Sequence, residues 1–199
     1  MSSTNAYIKA QLFIPINKLT FTAFDFETTG LYPQKDKIIE IGAVRFQNTN
    51  TIKIFHTLIN PLMPISREAS RINRITENML EDKPLIAQAL PQFLNFINNS
   101  VLIAHNASFD MGFFDHELLC LNLQPITNHV IDTITLAKNT LQSMRSYSLE
   151  NLAKGLSIKI NRFHRALNDA KVCKEIFLHC LARIPGSREI LLKDLLSSG

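Results

Sequence analysis

Two acids stand in a stretch of sequence that otherwise reads as a buried strand. The stretch is FTAFDFETTGL, residues 21–31, and it contains Asp25 and Glu27 two positions apart. Side chains two apart on a strand point to the same side, so the two carboxylates share one face while Phe24 and Phe26 share the other. Two close anions beside apolar neighbours are unfavourable unless a cation joins them. The spacing therefore predicts that these acids hold a positively charged group.

Two further acids occupy helical positions where a core-facing stripe expects apolar residues. Asp110 falls in the first turn of one predicted helix and Asp169 in the first turn of another. Favourable contact with the helix dipole would also explain an acid in a first turn. Together with Asp25 and Glu27, however, they form a set of hard oxygen ligands that suits Mg²⁺ or Mn²⁺ rather than Zn²⁺. Two such cations would balance the four carboxylates and support phosphoryl chemistry.

A histidine precedes the last of these acids by five residues. His164 stands in NRFHRALNDA, in the loop ahead of the helix that carries Asp169. An imidazole with an unperturbed pKa of about 6.5 accepts a proton at neutral pH. The sequence therefore makes His164 the candidate general base. An exposed loop histidine without a role is the competing interpretation.

The strands and helices that must position these side chains follow an order that indicates a single α/β domain. Three strand-like runs come first, and two short apolar runs then alternate with helical patterns. Antiparallel strands followed by alternating strands and helices indicate a mixed sheet flanked by helices. The predicted strands are residues 19–27, 37–46, 51–59, 101–105 and 129–133.

Length and composition are those of an ordinary globular domain. The chain has 199 residues, of which 46% are hydrophobic and 19% are charged,. The net charge of +4 suits an anionic partner such as nucleic acid without proving one,. We expect residues 1–18 to form a loosely held N-terminal arm and residues 19–199 to form one domain. Within it, residues 84–99 predict a helix that Pro91 kinks or divides.

The sequence shows no feature of a membrane or secreted protein. No uncharged run reaches membrane-spanning length, and the first residues, MSSTNAYIKAQLF, lack the apolar core of a signal peptide,. The three cysteines, Cys120, Cys173 and Cys180, have no paired spacing, which argues against disulfides and against a structural zinc site,. We therefore expect a cytoplasmic protein in a reducing compartment and no membrane partner.

Four motifs together resemble those of the DEDDh 3′→5′ exonucleases, in particular the proofreading epsilon-subunit type of bacterial DNA polymerase III. They are FDFETTGL, IIEIGAV, AHNASFD and HRALNDA, they follow the family's order and spacing, and the resemblance extends from Thr20 to Leu181. It implies a ribonuclease H-like fold with a five-stranded mixed sheet flanked by helices. It also implies that His164 is the general base. Two Mg²⁺ ions, replaceable by Mn²⁺, would be held by Asp25, Glu27, Asp110 and Asp169.

The same resemblance implies a reaction and a substrate. Water would attack the terminal phosphodiester of a nucleic acid 3′ end and release a nucleoside 5′-monophosphate. Single-stranded DNA is the expected substrate, in proofreading or repair, and a DNA polymerase subunit is a candidate partner. By this resemblance, the residues that line the terminal-nucleotide pocket or border the path of the strand are Thr28, Thr29, Leu31, His105, Asn106 and Phe109.

The sequence departs from the family's pattern at two places. Asn168 stands where close relatives often have an additional acid, which lowers the local negative charge. Asn73 and Arg74 replace a pair that is usually His-Gly. Several arginines are candidates for phosphate contacts, although a solvated surface charge explains each of them as well. They are Arg67, Arg71, Arg74, Arg162 and Arg165.

Two alternative functions remain open at this point. One is an RNA-trimming 3′→5′ exoribonuclease of the same family, because nothing in the sequence decides how a sugar 2′-hydroxyl is read. The other is a non-catalytic nucleic-acid-binding or polymerase-associated module that kept the fold. The complete set of four acids and one histidine argues against this second alternative, since a binding module has no need of it.

Overall fold

The computed structural model describes residues 3–142, 144–160, 162–186 and 189–197. The strands of this described part are β1 (Phe21–Thr28), β2 (Ile38–Gln47), β3 (Asn50–Leu58), β4 (Val101–Ala104) and β5 (Val130–Asp132). Its α-helices are α1 (Ser3–Gln11), α2 (Arg67–Asn73), α3 (Glu77–Leu80), α4 (Ile86–Ile97), α5 (Ala107–Cys120), α6 (Thr133–Thr140), α7 (Leu149–Gly155), α8 (Ala166–Leu181) and α9 (Leu192–Ser197). A short 3₁₀ helix spans Ile16–Lys18.

The five strands form one mixed sheet in the order β3-β2-β1-β4-β5. β1 pairs antiparallel with β2, to which the loop of residues 29–37 joins it, and β2 pairs antiparallel with β3 through a tight turn at residues 48–49,. β4 is parallel to β1 and β5 is parallel to β4, since the connections to these strands pass through helices,. The predicted mixed sheet flanked by helices is confirmed.

Both faces of β1 are covered, and they carry different residues. Phe21 and Ala23 pack into the core on the side of α6, α7 and α8. Phe24 and Phe26 pack into a second core on the side of α4 and α5. Because side chains alternate along a strand, Asp25 and Glu27 fall on the same side as Ala23, facing α8. The two acids therefore lie on the face of the sheet that α8 covers.

Helix α8 approaches the sheet closely because of Gly42 on β2. In the β1–β2 pairing, Gly42 lies opposite Asp25. A Cβ at Gly42 would overlap backbone atoms of Ala166 and Leu167, at the start of α8. Only glycine leaves room for this contact. The first turn of α8, which carries Asp169, is thereby brought down next to Asp25.

The N-terminal segment packs against the rest of the chain. Ile8 and Ile16 are buried, so they remove apolar surface from water,. The side-chain amide of Gln11 donates a hydrogen bond of 2.9 Å to the carbonyl of Asn99, just before β4. Residues 8, 11 and 16 of the expected N-terminal arm are thus packed against the domain.

Pro91 does not divide the helix that contains it. Helix α4 continues from Ile86 to Ile97 with Pro91 inside it. Proline removes the hydrogen bond to the carbonyl four residues earlier, here that of Ala87. Pro91 and Ala87 are both exposed, so water can satisfy that carbonyl.

The described helices are short and contain both apolar and charged residues. Helix α8 has 16 residues and includes charged side chains such as Lys174. Across the described parts of the chain, no helix combines the length and the apolar composition needed to cross a bilayer,.

Candidate active site

Three carboxylates converge at the carboxyl end of β1. Asp25, Glu27 and Asp169 each place one oxygen within 4.8 Å of the others. The strand provides two of them, because residues two apart share a face, and the first turn of α8 provides the third. Oxygen donors gathered in this way are the ligands that hard divalent cations prefer.

The fourth predicted ligand, Asp110, reaches the same place from the opposite layer. Helix α5 carries it, and its side chain is buried. Its Oδ1 accepts a hydrogen bond of 2.9 Å from the backbone N–H of Phe26, the residue between Asp25 and Glu27. Asp110 lies outside the group of three, but it is near enough for its charge to raise the pKa of Asp25. The structure thus arranges the four acids as three together and one beside them.

These acids lie in an environment that penalises their negative charge. Burial first, and then the neighbouring carboxylates, raise the pKa of Asp25 well above its ordinary value,. Burial and the charge of Asp169 raise the pKa of Glu27 to about 8. The pKa values of Asp110 and Asp169 rise to about 7, chiefly through burial. A divalent cation among the oxygens would offset both burial and repulsion.

Asp169 provides a direct test of whether a cation fits this site. Its Oδ2 accepts a hydrogen bond of 2.9 Å from the backbone N–H of His164. Its Oδ1 is buried and has no hydrogen-bond partner among the described residues. A buried carboxylate oxygen without a partner is unfavourable. A metal ion bound by Asp25, Glu27 and Asp169 would remove this deficit, so the residues fit the implied group.

An ion pair between the half-buried Arg165 and the buried Glu40 ties the start of α8 to β2. The guanidinium of Arg165 donates to both oxygens of Glu40, with Nε–Oε2 at 3.0 Å and Nη2–Oε1 at 2.9 Å. His56 contacts Glu40 Oε1 through Nε2 at 2.6 Å, and the N–H of Ala166 donates to Oε2 at 3.2 Å. Burial alone would raise the pKa of Glu40, but the bonds from His56 and Arg165 outweigh it and the pKa is lowered. Glu40 pairs with Glu27 across the strands, so it faces the same side.

Sequence reasoning missed the role of Glu40, although the signal was present. The motif IIEIGAV places an acid in an otherwise apolar strand, the same anomaly that drew attention to Asp25. A buried acid demands a charged partner, and Arg165 is that partner. What the sequence did not indicate is that the partner of Glu40 lies 125 positions further along the chain.

His164 lies at the edge of the site with its ring turned to another acid. Its backbone is left-handed, with φ at 59°. Its Nε2 is 3.4 Å from Oε1 of Glu150, in the first turn of α7, and the histidine side chain is 48% exposed. The imidazole is therefore outside the core and lies beside Glu150. The contact with Glu150 has no motif in the sequence that would have indicated it.

A cavity of about 280 Å³ opens beside the carboxylates. Three of the residues predicted to contact substrate line it, namely Thr28, Leu31 and Phe109. Leu31 is 69% exposed, so it stands at the mouth of the cavity. The remaining lining residues are Phe26, Glu27, Gly30, Ser66, Glu68, Ala69, Ile72, Asn73 and His164.

The other three predicted substrate residues are not among the lining residues of this cavity. The Oγ1 of Thr29 accepts from the backbone N–H of Lys37 at 3.0 Å, which closes the loop after β1. The Nδ1 of His105 is 2.8 Å from Oγ1 of Thr133, and burial lowers the pKa of His105. Asn106 is the residue that precedes α5, in a left-handed conformation. Thr29 and His105 therefore contact other residues of the protein, and Asn106 forms the turn that leads into α5.

Known proteins share both the motifs and the fold of this chain. The model of the exonuclease family RNase_T matches residues 22–177. The chain belongs to this family. The chain is 42% identical over 166 residues to DNA polymerase III subunit epsilon of Treponema pallidum, a match that covers 82% of the chain and 77% of that relative. The resemblance seen in the motifs is confirmed.

A second group of relatives is much longer than this chain. The chain is 42% identical over 175 residues to the PolC-type DNA polymerase III of Caldanaerobacter subterraneus subsp. tengcongensis, a match that covers 88% of the chain and 12% of that protein. The PolC-type protein of Thermotoga petrophila is 47% identical over 159 residues, again across 12% of its length. The chain thus spans about an eighth of the length of these curated relatives.

Solved structures show the same architecture. Exonuclease X in complex with 5′ overhanging duplex DNA matches with a TM-score of 0.71 and 28% identity, over 90% of the chain and 99% of that protein. Exonuclease I matches with a TM-score of 0.77 and 19% identity, over 85% of the chain and 42% of that protein, and this likeness concerns the fold alone. The predicted ribonuclease H-like fold is confirmed.

Proposed function

We propose that the exonuclease hydrolyses the terminal phosphodiester of single-stranded DNA in the 3′→5′ direction and releases nucleoside 5′-monophosphates. The observation that carries the proposal is the group formed by Asp25, Glu27 and Asp169, with oxygens within 4.8 Å of one another, beside a cavity of about 280 Å³. DNA is favoured because the relatives bear the names of DNA polymerase III components.

Asp25, Glu27 and Asp169 would hold Mg²⁺, with Asp110 contributing from the opposite layer. The donors are all oxygens, which favours Mg²⁺ or Mn²⁺ over softer metals. Two such ions, when bound, neutralise charge on the attacking and leaving oxygens of a phosphoryl transfer. The protein's own contribution is to gather three carboxylates at one point with Asp110 beside them, which places oxygen donors where these cations would bind,.

His164 is the residue proposed to accept the proton of the attacking water. It lines the cavity, and its side chain is 48% exposed. Its backbone N–H is bonded to Asp169, so the loop that carries it is fixed relative to the carboxylates. General bases of this kind contribute about 10²–10⁴-fold to a rate.

The cavity is proposed to receive the last nucleotide of the strand. Leu31 and Phe109 would contact its base through apolar surface, which accepts any base because every base has an apolar face,. Thr28 lies at the end of β1, directly after the acids. A pocket of this size suits one terminal unit rather than a continuous strand, which favours cleavage from an end,.

We further propose that the exonuclease acts with a DNA polymerase, in proofreading. The support is the similarity to a polymerase epsilon subunit and to a segment of PolC-type polymerases. Repair is the alternative setting, and it uses the same reaction.

The test is digestion of a 5′-labelled single-stranded DNA with Mg²⁺ or with EDTA. We expect a ladder that shortens from the 3′ end with Mg²⁺ and no products with EDTA. Asp110→Asn should nearly abolish the ladder, whereas Asp115→Asn, on an exposed position of the same helix, should not. Full activity in EDTA, or in the Asp110→Asn variant, would refute the proposed site.

Matched RNA in the same experiment separates the remaining alternatives. Equal or faster digestion of RNA would replace the proposed substrate with RNA. Binding of either strand without digestion under any metal would favour a non-catalytic binding module.

A further inference from the structure

Strand β3 forms an edge of the sheet, and the outer side of its backbone is open. Among the described strands it pairs with β2 alone. No loop of the described chain forms a backbone–backbone hydrogen bond with residues 50–58 from the other side. Alternate residues of an edge strand direct their N–H and C=O groups away from the sheet, so β3 presents a row of donors and acceptors without backbone partners. A further extended segment would satisfy both kinds of group.

The residues of β3 are unusual for an open edge. Edge strands are ordinarily protected by shortness, prolines, bulges or charges. β3 has nine residues and no proline, and Lys53 is the only charged residue in it besides a histidine. Ile52 and Ile54 are 58% and 47% exposed. A register shift disturbs the pairing near Ile52, but Lys53 to Leu58 pair continuously with β2. A regular, partly apolar run is therefore available for pairing with a further strand.

A groove of about 530 Å³ lies beside this edge, on the face of the sheet that α8 covers. Val44 and Ile54, which pair across β2 and β3, line it from the sheet. Val44 is two positions after Gly42, so it points to the same side, toward α8. The helix residues that line the groove are three or four positions apart and so share one side of α8. They are Lys171, Lys174, Glu175 and His179, and Thr51 and residues 157–159 complete the lining. This space is called the α8–β3 groove.

The α8–β3 groove combines an apolar floor with a basic rim. Three lysines and one glutamate line it. Lys174 is buried, and its Nζ donates to the carbonyl of Thr49 at 3.1 Å and to Oγ1 of Thr51 at 3.2 Å, which fixes α8 to the start of β3. Lys159 and Lys171 are exposed and make no hydrogen bond or ion pair with other described residues. Their positive charge favours an anionic occupant of the groove.

We propose that the β3 edge and the α8–β3 groove bind an extended acidic segment of a partner protein, which adds to the sheet as a further strand. The edge favours a peptide over a nucleic acid, because a phosphodiester backbone has acceptors but no donors for the outward C=O groups. The lysines favour acidic side chains on that peptide.

The charge of the groove argues against a second copy of this chain as the occupant. Antiparallel pairing of two β3 strands would bring both grooves together on one face of the joined sheet, so that Lys159 and Lys171 of each copy would approach like charges of the other. The groove shares no lining residue with the cavity beside the carboxylates. A partner segment and a nucleic acid end would therefore be held at separate places, and this inference does not depend on the proposed function.

Binding of synthetic peptides tests the inference. The probes are labelled peptides that alternate glutamate with valine, isoleucine or tyrosine. One set of controls has lysine in place of glutamate, and another has N-methylated amides, which cannot donate to a strand. Fluorescence anisotropy gives the affinity, and amide hydrogen exchange is followed in residues 50–58. We expect the acidic probes to bind and to slow exchange in β3, and the two sets of controls to do neither.

Two pairs of charge reversals separate a specific groove from general attraction. Lys159→Glu with Lys171→Glu should raise the Kd of the acidic probes at least about tenfold. Lys83→Glu with Lys138→Glu changes the net charge equally at exposed positions outside the groove, so Kd should change less than about twofold,. Ile54→Glu places a like charge on the groove floor and should also weaken binding. Melting temperatures show whether each variant is folded.

Several results would overturn the inference. Equal loss of affinity in the two charge-reversed pairs would mean general attraction, and bound probes that leave exchange in β3 unchanged would exclude strand addition. Failure of every acidic probe to bind would also reject it. A dimer found by sedimentation, with β3 already protected, would assign the edge to a second copy. Slowing of exchange by oligothymidine would assign it to nucleic acid.

Digestion of DNA is measured separately from peptide binding. The Lys159→Glu, Lys171→Glu variant should digest DNA as the Lys83→Glu, Lys138→Glu variant does, because neither pair lines the cavity beside the carboxylates. If the original protein digests DNA and no peptide binds, the inference is wrong and the proposed function stands. If peptides bind as expected and DNA is not digested, the proposed function fails and the inference stands.

Discussion

Gly42 of β2 lies directly opposite Asp25 of β1, and the absence of a side chain at Gly42 lets α8 rest on the sheet there. The two residues are 17 positions apart in the chain, yet together they set the depth at which Asp169 meets Asp25. A glycine on a central strand thus contributes to the candidate metal site without providing a ligand.

Gly42→Ala should damage both stability and activity. The new Cβ would overlap backbone atoms of Ala166 and Leu167, which cannot rotate away as a side chain can. Overpacking of this kind costs about 1–3 kcal/mol, and displacement of α8 would move Asp169 away from Asp25. Thermal unfolding and Mg²⁺-dependent digestion measure the two effects. Gly112→Ala is the control, because its nearest neighbour would be Pro33 Cγ at 3.4 Å, and a helical alanine is favoured by about 1 kcal/mol.

Glu40→Gln should destabilise the fold more than loss of an exposed acid. The substitution leaves Arg165 and His56 beside a neutral group, with Glu40 only 1% exposed in its side chain. Because Arg165 is 23% exposed and water can partly solvate it, we expect a cost of about 1–3 kcal/mol, below that of a fully buried pair,. Denaturant unfolding provides the measurement. Glu150→Gln is the comparison, since Glu150 pairs with Lys154 at 3.9 Å in solvent and its loss should cost less than about 1 kcal/mol,. Equal losses for the two variants would contradict the role of Glu40.

The metal-free protein should become less stable as the pH rises. The pKa of Glu27 is raised to about 8, and those of Asp110 and Asp169 to about 7. A carboxyl whose pKa is higher in the folded state binds protons more tightly when folded, so stability decreases between the unfolded pKa of about 4 and these values. Melting temperatures in EDTA should therefore fall from pH 5 to pH 8.

Magnesium should oppose that pH dependence. Cations bind deprotonated carboxylates, so saturating Mg²⁺ should raise the melting temperature most at pH 8 and least at pH 5. Melting temperatures with Mg²⁺ and with EDTA, compared at each pH, give the result. A gain from Mg²⁺ that is the same at every pH would contradict the raised pKa values of the site. Adding NaCl to the same ionic strength controls for general screening of surface charges.

Leu31→Ala should weaken substrate binding without weakening the fold. Leu31 is 69% exposed at the mouth of the cavity, so its truncation removes little buried surface from the protein. Loss of the contact between this apolar side chain and a base should weaken binding by about 1 kcal/mol, which corresponds to roughly a fivefold rise in KM. Leu119→Ala, at 73% exposure on the outer side of α5, is the matched control and should leave KM unchanged. Equal KM values for the two variants would remove the cavity from the proposed binding site.

The ligand types of the candidate site followed from local sequence. Asp25 and Glu27 share a face because a strand has a period of two, and that holds wherever the strand lies. Asp110 and Asp169 stood out because acids occupied positions that a core-facing stripe would fill with apolar residues. Local periodicity is enough for inferences of this kind.

The directions of several other side chains could not be inferred in this way. Thr29 and His105 lie in segments whose motifs suggested substrate contact, yet the Oγ1 of Thr29 bonds to Lys37 and the Nδ1 of His105 contacts Thr133. Those partners are 8 and 28 positions away in the chain, and only closure of the loop and the sheet brings them near. A motif identifies a segment but not which of its side chains faces the cavity.

The sequence by itself determined the alternation of acids and apolar residues, the order of strands and helices, and the family. Tertiary structure decided the rest: that Asp169 meets Asp25, that Arg165 is held by Glu40, and that His164 contacts Glu150. The physical reason is that these contacts depend on how closely α8 approaches the sheet, which is set by packing between residues far apart in the chain and not by any local pattern.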